Sequence, residues 1–233
     1  MSVSTDIHIY PPRQAYDIAA TEYDQWPWQK VWRHTEAPVV LSWLGDGGGR
    51  RLLDLGAGTG SYLHCLSGAG FVGVGLDISA EMLRIAVRRL RGSGAMLTIG
   101  DARCLPFKPA SFEQILMTRV LSHFDDAAIV FREARRVLVQ SGNLVMSDLD
   151  SAHDYSQTEL PLTGSKISVA TYKRSLGVVA AVARKHGGFI ISRQAIIRGC
   201  DLAPRNEARQ LSSVDLSSER PISFIVQFRA ATT

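Results

Sequence analysis

Arg119 and His123 stand four residues apart in the stretch MTRVLSHFDD, residues 117 to 126. The stretch follows an apolar run, FEQIL, that reads as a buried strand, and it reads as the opening of a helix. On a helix that spacing puts both side chains on one face. The carboxyl end of a strand is also where an open α/β sheet binds ligands. An imidazole accepts protons near neutral pH, and a guanidinium beside it steadies an oxyanion. A phenol titrates near 10 and a histidine near 6.5, so full proton transfer costs about 5 kcal/mol at ~1.4 kcal/mol per unit. The cation offsets part of that. The resulting phenolate reacts at oxygen or at its ortho carbon. The alternative is structural: Arg119 pairs with Asp125 or Asp126 on the surface, and His123 is a half-buried, satisfied residue.

A second constellation lies upstream. LLDLGAGTGSY carries Asp54, Gly56, Gly58 and Gly60 between a strand and a helix. Glycines allow a tight turn and close approach of a ligand to the backbone. The spacing departs from the dinucleotide fingerprint GxGxxG, because Ser61 stands where the third glycine belongs. Asp54 would repel a pyrophosphate and suits a cationic group. S-adenosylmethionine has an ammonium, a sulfonium, a ribose and an adenine, and no phosphate. Asp77 ends the next strand, in VGVGLDIS, where a carboxylate can accept both ribose hydroxyls. Asp101 ends the third, in LTIGDARCLPF, placed to accept from the adenine amino group, with the Ala102 amide toward a ring nitrogen. Ile78 and Met82 would cover an adenine face. Each aspartate alone is equally a helix cap; three at successive strand ends beside the glycine loop point to a nucleoside.

The elements that must position these groups alternate. RLLDLG, VGVGLDIS, AMLTIGDA, FEQILMT and NLVMSDLD read as strands. SYLHCLSGAG, AEMLRIAVRRLRG and DAAIVFREARRVLVQSG read as helices, the last stopped by Gly142. This rhythm implies βαβ units and a parallel sheet. Residues 12 to 44 read as broken helix. Residues 151 to 165 read as a polar loop, KISVATYKRSLGVVAAVARKHG as helix, FIISRQAII and ISFIVQFRA as late strands, and residues 203 to 220 as a surface excursion. The expectation is a single domain over residues 1–233, with a helical cap at 1–45 and a substrate lid at 151–186.

Composition narrows the classes. The 233 residues are 45% hydrophobic and 21% charged, so one sizeable α/β core is within reach. The net charge is +4, but the basic residues spread over helix faces such as RIAVRRLR without interleaved aromatics, which argues against nucleic acid. The Asn-Pro-Pro-aromatic kind of signature for extruded bases is missing from MTRV at the end of the fourth strand. No apolar run approaches the roughly 20 residues of a membrane span, and MSVSTDIHIY lacks a signal pattern, so a cytoplasmic protein is expected. Cys65, Cys104 and Cys200 form neither a disulfide framework nor a zinc site. Asp148, Asp150 and His153 have no Asp-Asn pair beside them to complete a cation site, so no metal is expected. A homo-oligomer is compatible with the sequence, which sets no oligomeric state.

The motifs DLGAGTG, GLDIS, GDARCLPF and RVLVQSGNLVMSD resemble the successive motifs of the class I S-adenosylmethionine-dependent methyltransferases, in the small-molecule branch related to quinone biosynthesis. The resemblance covers residues 15 to 150 well. It implies a Rossmann-like, seven-stranded, mostly parallel sheet with helices on both faces and an antiparallel last strand, which ISFIVQFRA fits. It implies S-adenosylmethionine as cofactor and a small, phenolic or aromatic acceptor. AYDIAATEYD resembles the family's N-terminal cap, making Tyr16 and Tyr23 candidate contacts to the methionine tail. The backbone near Met117 and Thr118 would run along the cofactor, with Arg119 and His123 reaching the acceptor. In that pair the sequence is also similar to antibiotic-pathway C-methyltransferases acting on phenolic coumarins. Tyr172, Trp26, Trp28 and Trp32 are candidate walls for an aromatic acceptor, and His153 a candidate second pocket residue. Two other readings stand beside this one: a nicotinamide oxidoreductase, and a non-catalytic module that binds the cofactor for a partner protein.

Overall fold

The computed structural model describes residues 8–153, 157–202, 211 and 215–231. A seven-stranded sheet forms its centre. In chain order the strands are β2 (Arg51–Leu55), β3 (Val72–Asp77), β4 (Met96–Ile99), β5 (Phe112–Thr118), β6 (Leu138–Leu149), β9 (Phe189–Arg198) and β10 (Pro221–Ala230). Across the sheet they run β4-β3-β2-β5-β6-β10-β9. All neighbours from β4 to β6 are parallel, and β10 lies antiparallel between β6 and β9. The expected Rossmann-like arrangement with an antiparallel last strand is therefore what the chain adopts.

Burial on both faces explains the apolar runs. Leu53, Leu55, Ile115, Met117, Leu144 and Met146 pack on one face with Val130, Phe131 and Val179. Their alternating neighbours Leu52, Leu116 and Val145 pack on the other with Val31, Leu63 and Ala86. The first face is covered by α5 (Ala127–Val137) and α6 (Leu176–Gly187), the second by α2 (Pro27–Leu44), α3 (Ser61–Gly68) and α4 (Ala80–Arg89). The helix starts follow local chemistry. Ser79 accepts from Met82 N at the head of α4, and Asp126 from Ala128 N at the head of α5. Pro27 opens α2, where its missing N–H costs nothing.

A second sheet of three strands, β1 (Ile9–Tyr10), β8 (Ser165–Val169) and β7 (Thr158–Leu162), stands apart from the first. Helix α1 (Pro12–Ala19) docks on it: Ala15 and Ala19, one turn apart, bury against Leu160, Ile167 and Val169. A short helix α7 (Gly199–Leu202) follows β9.

Two expectations fail here. Within the loop expected at 151 to 165 and the helix expected from Lys166, Thr158–Leu162 and Ser165–Val169 instead form the β7–β8 hairpin, and only Leu176–Gly187 is helical; residues 154–156 lie outside the described residues. Helix α5 ends at Val137, and Gly142 lies inside β6. A Cβ at Gly142 would meet Leu138 Cγ at 2.6 Å, so this glycine serves a close approach within the strand rather than a helix stop. Most of the surface excursion, at 203–210 and 212–214, lies outside the described residues.

Candidate active site

The carboxyl ends of β2, β3 and β5 open on a cavity of about 360 Å³, within the range of small-molecule sites. Its floor includes Gly56, Gly58 and Asp77, and its side walls include Ile78, Met82, Asp101, Ala102 and Thr118. Tyr16 and Tyr23 come from the N-terminal segment, Arg119 and His123 from beyond β5. Ten of the twelve cofactor candidates and both catalytic candidates thus meet in one cavity. The exceptions are Asp54 and Gly60. Gly60 starts α3 against Ala86 and Leu90 of α4. Asp54 follows the two-residue alternation of β2: its neighbours Leu53 and Leu55 face α5, so its own side chain faces α2.

The glycine loop fits a ligand that lies on the backbone. Gly56 has φ +81° and Gly58 φ +54°; a Cβ at Gly56 would meet Val120 Cγ2 at 2.2 Å, while one at Gly58 would meet nothing within 4 Å. At Gly58, then, an added side chain would project into the cavity. Asp77 is fixed from behind. Its Oδ2 accepts from Gly58 N at 2.7 Å and its Oδ1 from Ser79 N at 2.9 Å. Each carboxylate oxygen keeps a second lone pair for a ligand hydroxyl. Burial raises the Asp77 carboxyl above the usual range, and the two amides oppose that.

Asp101 faces the cavity with both oxygens engaged. Arg103 grips them through Nε at 3.1 Å to each oxygen and a terminal nitrogen at 2.7 Å to Oδ2. That fork holds the Asp101 carboxyl below its ordinary range. An adenine amino group would share Asp101 with Arg103, a residue absent from the sequence-based site.

Behind the glycine loop lies a buried polar cluster. Asp54 is 1% exposed and its Oδ2 has no hydrogen-bond partner among the described residues. Burial, reinforced by the Asp77 charge, pushes its pKa up to about 7, against the pull of Arg119. Glu36, fully buried on α2, holds the Arg119 guanidinium and accepts from Tyr62 Oη at 2.8 Å; its second oxygen is unpartnered among the described residues. Behind the loop, then, Glu36 is neutralised by Arg119, while Asp54 keeps its proton up to about pH 7 unless a cation beside it favours the carboxylate.

The helix expected at 117 to 126 does not form. Strand β5 runs through Thr118, Arg119 takes a left-handed conformation with φ +55°, and Leu121–His123 is a single 3-10 turn before α5. Arg119 and His123 therefore share a cavity rather than a helix face. Arg119 pairs with Glu36, not with Asp125 or Asp126, and its guanidinium lies 5.5 Å from the Trp32 ring centre. Burial tends to lower its pKa, but the Glu36 carboxylate outweighs that and holds it charged. His123 Nδ1 lies 3.3 Å from the Ala170 carbonyl and Nε2 lies 2.8 Å from Tyr16 Oη. A carbonyl only accepts, so Nδ1 carries the proton and Nε2 accepts from the tyrosine. Burial pulls the imidazole down to about 4.

Of the proposed walls, Tyr172 lines the cavity; Trp26, Trp28, Trp32 and His153 do not. Trp28 stacks on Trp32 at 4.7 Å, and His153 packs edge-on to Trp28 at 6.2 Å. Asp148 accepts from Ser122 N at 2.8 Å, and Asp150 from Ala152 N at 2.9 Å, both structural roles. Among the described residues no cluster of His, Cys, Asp or Glu could hold a metal. No helix among them is long and apolar enough to cross a membrane. Sequence reasoning missed Glu36, Arg103 and Phe124. It also missed Arg89, which joins Asp24 at 2.6 Å to the Thr59 carbonyl at 2.8 Å. Neither Glu36 nor Arg89 stood out in the sequence, because α2 and α4 each carry other charges that face solvent.

Residues 53–146 match the family described as a methyltransferase domain. A demethylmenaquinone methyltransferase of Thermotoga maritima is 36% identical over 120 residues, which covers 51% of this chain and 50% of that protein. The chain spans between 34% and 61% of the length of the first curated relatives it matches. Among solved structures, an S-adenosylmethionine-dependent methyltransferase from Mesorhizobium loti has a TM-score of 0.66 at 21% identity, covering 82% of this chain and 96% of that one. The [4+2]-cyclase SpnF also has a TM-score of 0.66, at 18% identity, over 88% of this chain and 84% of that one. The fold is shared with both of these solved structures.

Proposed function

We propose that the chain is an S-adenosylmethionine-dependent methyltransferase acting on a small phenolic or quinol-type acceptor. The observation that carries this is Asp77, clamped by two amides at the mouth of the glycine loop with lone pairs open to the cavity. The match over residues 53–146 and the quinone-methylating relative support it.

Bound there, the cofactor supplies a methyl group on a sulfonium, already activated for displacement. In this reading Asp77 holds the ribose hydroxyls, Ile78 and Met82 cover one face of the adenine, and Asp101 with the Ala102 amide reads its edge. Tyr23, Thr118 and the glycine loop flank the methionine portion, and its ammonium favours the ionised form of Asp54, whose proton is otherwise held to about pH 7. Residues 8–45 and the β7–β8 hairpin act as cap and lid, excluding water from the reacting atoms.

The acceptor sits between His123, Phe124 and Tyr172. His123 is the terminal proton acceptor and Arg119 supplies positive potential toward the acceptor oxygen. Two features temper these roles. A proton moved from a phenol near 10 to an imidazole near 4 costs about 8 kcal/mol at ~1.4 kcal/mol per unit. Glu36 also cancels part of the Arg119 field. The acceptor best suited to this site is therefore one more acidic than a simple phenol, such as a phenol carrying an acyl group or an enol-bearing ring. Its nucleophilic carbon lies ortho to the ionised oxygen.

Calorimetry with S-adenosylhomocysteine tests the cofactor part. Asp77→Ala should weaken binding by about tenfold to a hundredfold, the loss of hydrogen bonds to a charged group. Wild-type protein that takes up no S-adenosylhomocysteine refutes the reading.

A further inference from the structure

Resting on that reading of the cavity, we infer that Tyr16 is the catalytic group that meets the acceptor's proton, and that His123 acts only behind it. The Tyr16 hydroxyl stands 2.8 Å from His123 Nε2 and lines the cavity. Because Ala170 fixes the proton on Nδ1, the sole basic nitrogen of His123 is already occupied by the tyrosine O–H. An acceptor hydroxyl in the cavity therefore reaches that nitrogen only through Tyr16 Oη.

The step then runs in two short hops. The acceptor O–H proton passes to Tyr16 Oη as the Tyr16 proton passes to His123 Nε2, leaving tyrosine neutral and imidazolium beside it. The electron pair left on the acceptor forms the new bond to the methyl carbon as the carbon–sulfur bond breaks with its pair remaining on sulfur. Charge balances: a sulfonium cation is consumed and an imidazolium cation appears.

The relay spans three elements. Tyr16 rides on α1, His123 on the turn after β5, and Ala170 at the end of β8. Helix α1 and β8 are held together by the apolar cluster of Ala15, Ala19, Leu160, Ile167 and Val169. Tyr16 itself packs edge-on to Tyr23 at 5.8 Å and to the His123 ring at 5.3 Å. The proton path is thus assembled only when the N-terminal helix and the hairpin are docked together over the cavity.

Tyr16→Phe keeps the ring and removes the hydroxyl. Transfer of methyl label from S-adenosylmethionine to substituted dihydroxynaphthalenes of graded acidity should fall by about 100-fold or more for the least acidic member. The loss should shrink toward none for members ionised at the assay pH, which need no proton carrier. S-adenosylhomocysteine affinity should stay within twofold. Nitrogen-15 spectra of the ligand-free protein should show His123 protonated at Nδ1, with the Nε2 resonance moving in Tyr16→Phe. An Nε2-protonated His123 in the wild type overturns the proposal, as does normal turnover by Tyr16→Phe. A loss uniform over the acidity series marks a structural role and overturns this assignment alone. Wild-type protein that binds S-adenosylhomocysteine yet methylates no member of the series overturns the parent reading and this one with it.

Discussion

His123 and Asp54 show how burial retunes ordinary side chains. The imidazole, drawn down to about 4 by burial, stays neutral through the physiological range. An enzyme using it as terminal acceptor should keep its kcat flat from pH 8 down through 6.5, with the acid limb falling near 4; a midpoint at 6.5 in the kcat–pH profile contradicts the buried placement. Asp77 and the glycine loop were legible because a carboxylate at a strand end beside glycines has few other reasons to be there. Ile78, Met82, Ala102 and Thr118 followed from their places next to those strand ends. Glu36 was not legible. It reaches Arg119 from 83 residues away, and only the packing of α2 on the sheet brings them together. Arg103 sits two residues from Asp101, but nothing in the string says that it folds back rather than out.

At the level of elements, the junction of loop and strand is the tightest point. Gly56 has φ +81° and faces Val120 Cγ2 across a gap that no Cβ fits. Gly56→Ala should cost about 2–4 kcal/mol by urea unfolding, from left-handed strain plus overpacking. Adding Val120→Ala should recover the overpacking share and leave the strain. The alternating strands and helices from Arg51 to Leu149 were readable because buried parallel strands and amphipathic helices differ in period. The β7–β8 hairpin was not read. Its signals were local: Thr163-Gly164 between two five-residue runs, Gly164 at φ +73°, and Leu160 buried beside exposed Glu159. Pro161 and the polar flanks masked that alternation. The helix expected at Arg119 failed because the turn after β5 is set by Asp148, whose carboxylate takes the Ser122 amide from a neighbouring strand.

For the whole molecule, the buried Asp54 and the half-buried His123 give stability opposing slopes with pH. His123 is neutral when folded, and its unfolded form binds a proton below 6.5, so acidification from 6.5 to 4 costs up to about 3 kcal/mol. Asp54 holds its proton to about 7 when folded and releases it near 3.9 when unfolded, so raising the pH from 4 to 7 costs up to about 4 kcal/mol. Between pH 4 and 6.5 the two nearly cancel. Asp54→Asn should therefore unmask a loss of stability on acidification, and His123→Asn a loss on alkalinisation, both read from urea midpoints. Parallel slopes in the two variants contradict this coupling. The general architecture was legible because one core and its repeating units dominate the sequence; the balance between buried charges was not, since it depends on which helix covers which acid. The position of β10 carries a last consequence. It is inserted between β6 and β9 yet follows both in the chain. During synthesis, β6 and β9 therefore expose open backbone ladders until residue 230 has left the ribosome. Stalled translation products ending between β9 and β10 should be the forms that recruit chaperones or aggregate.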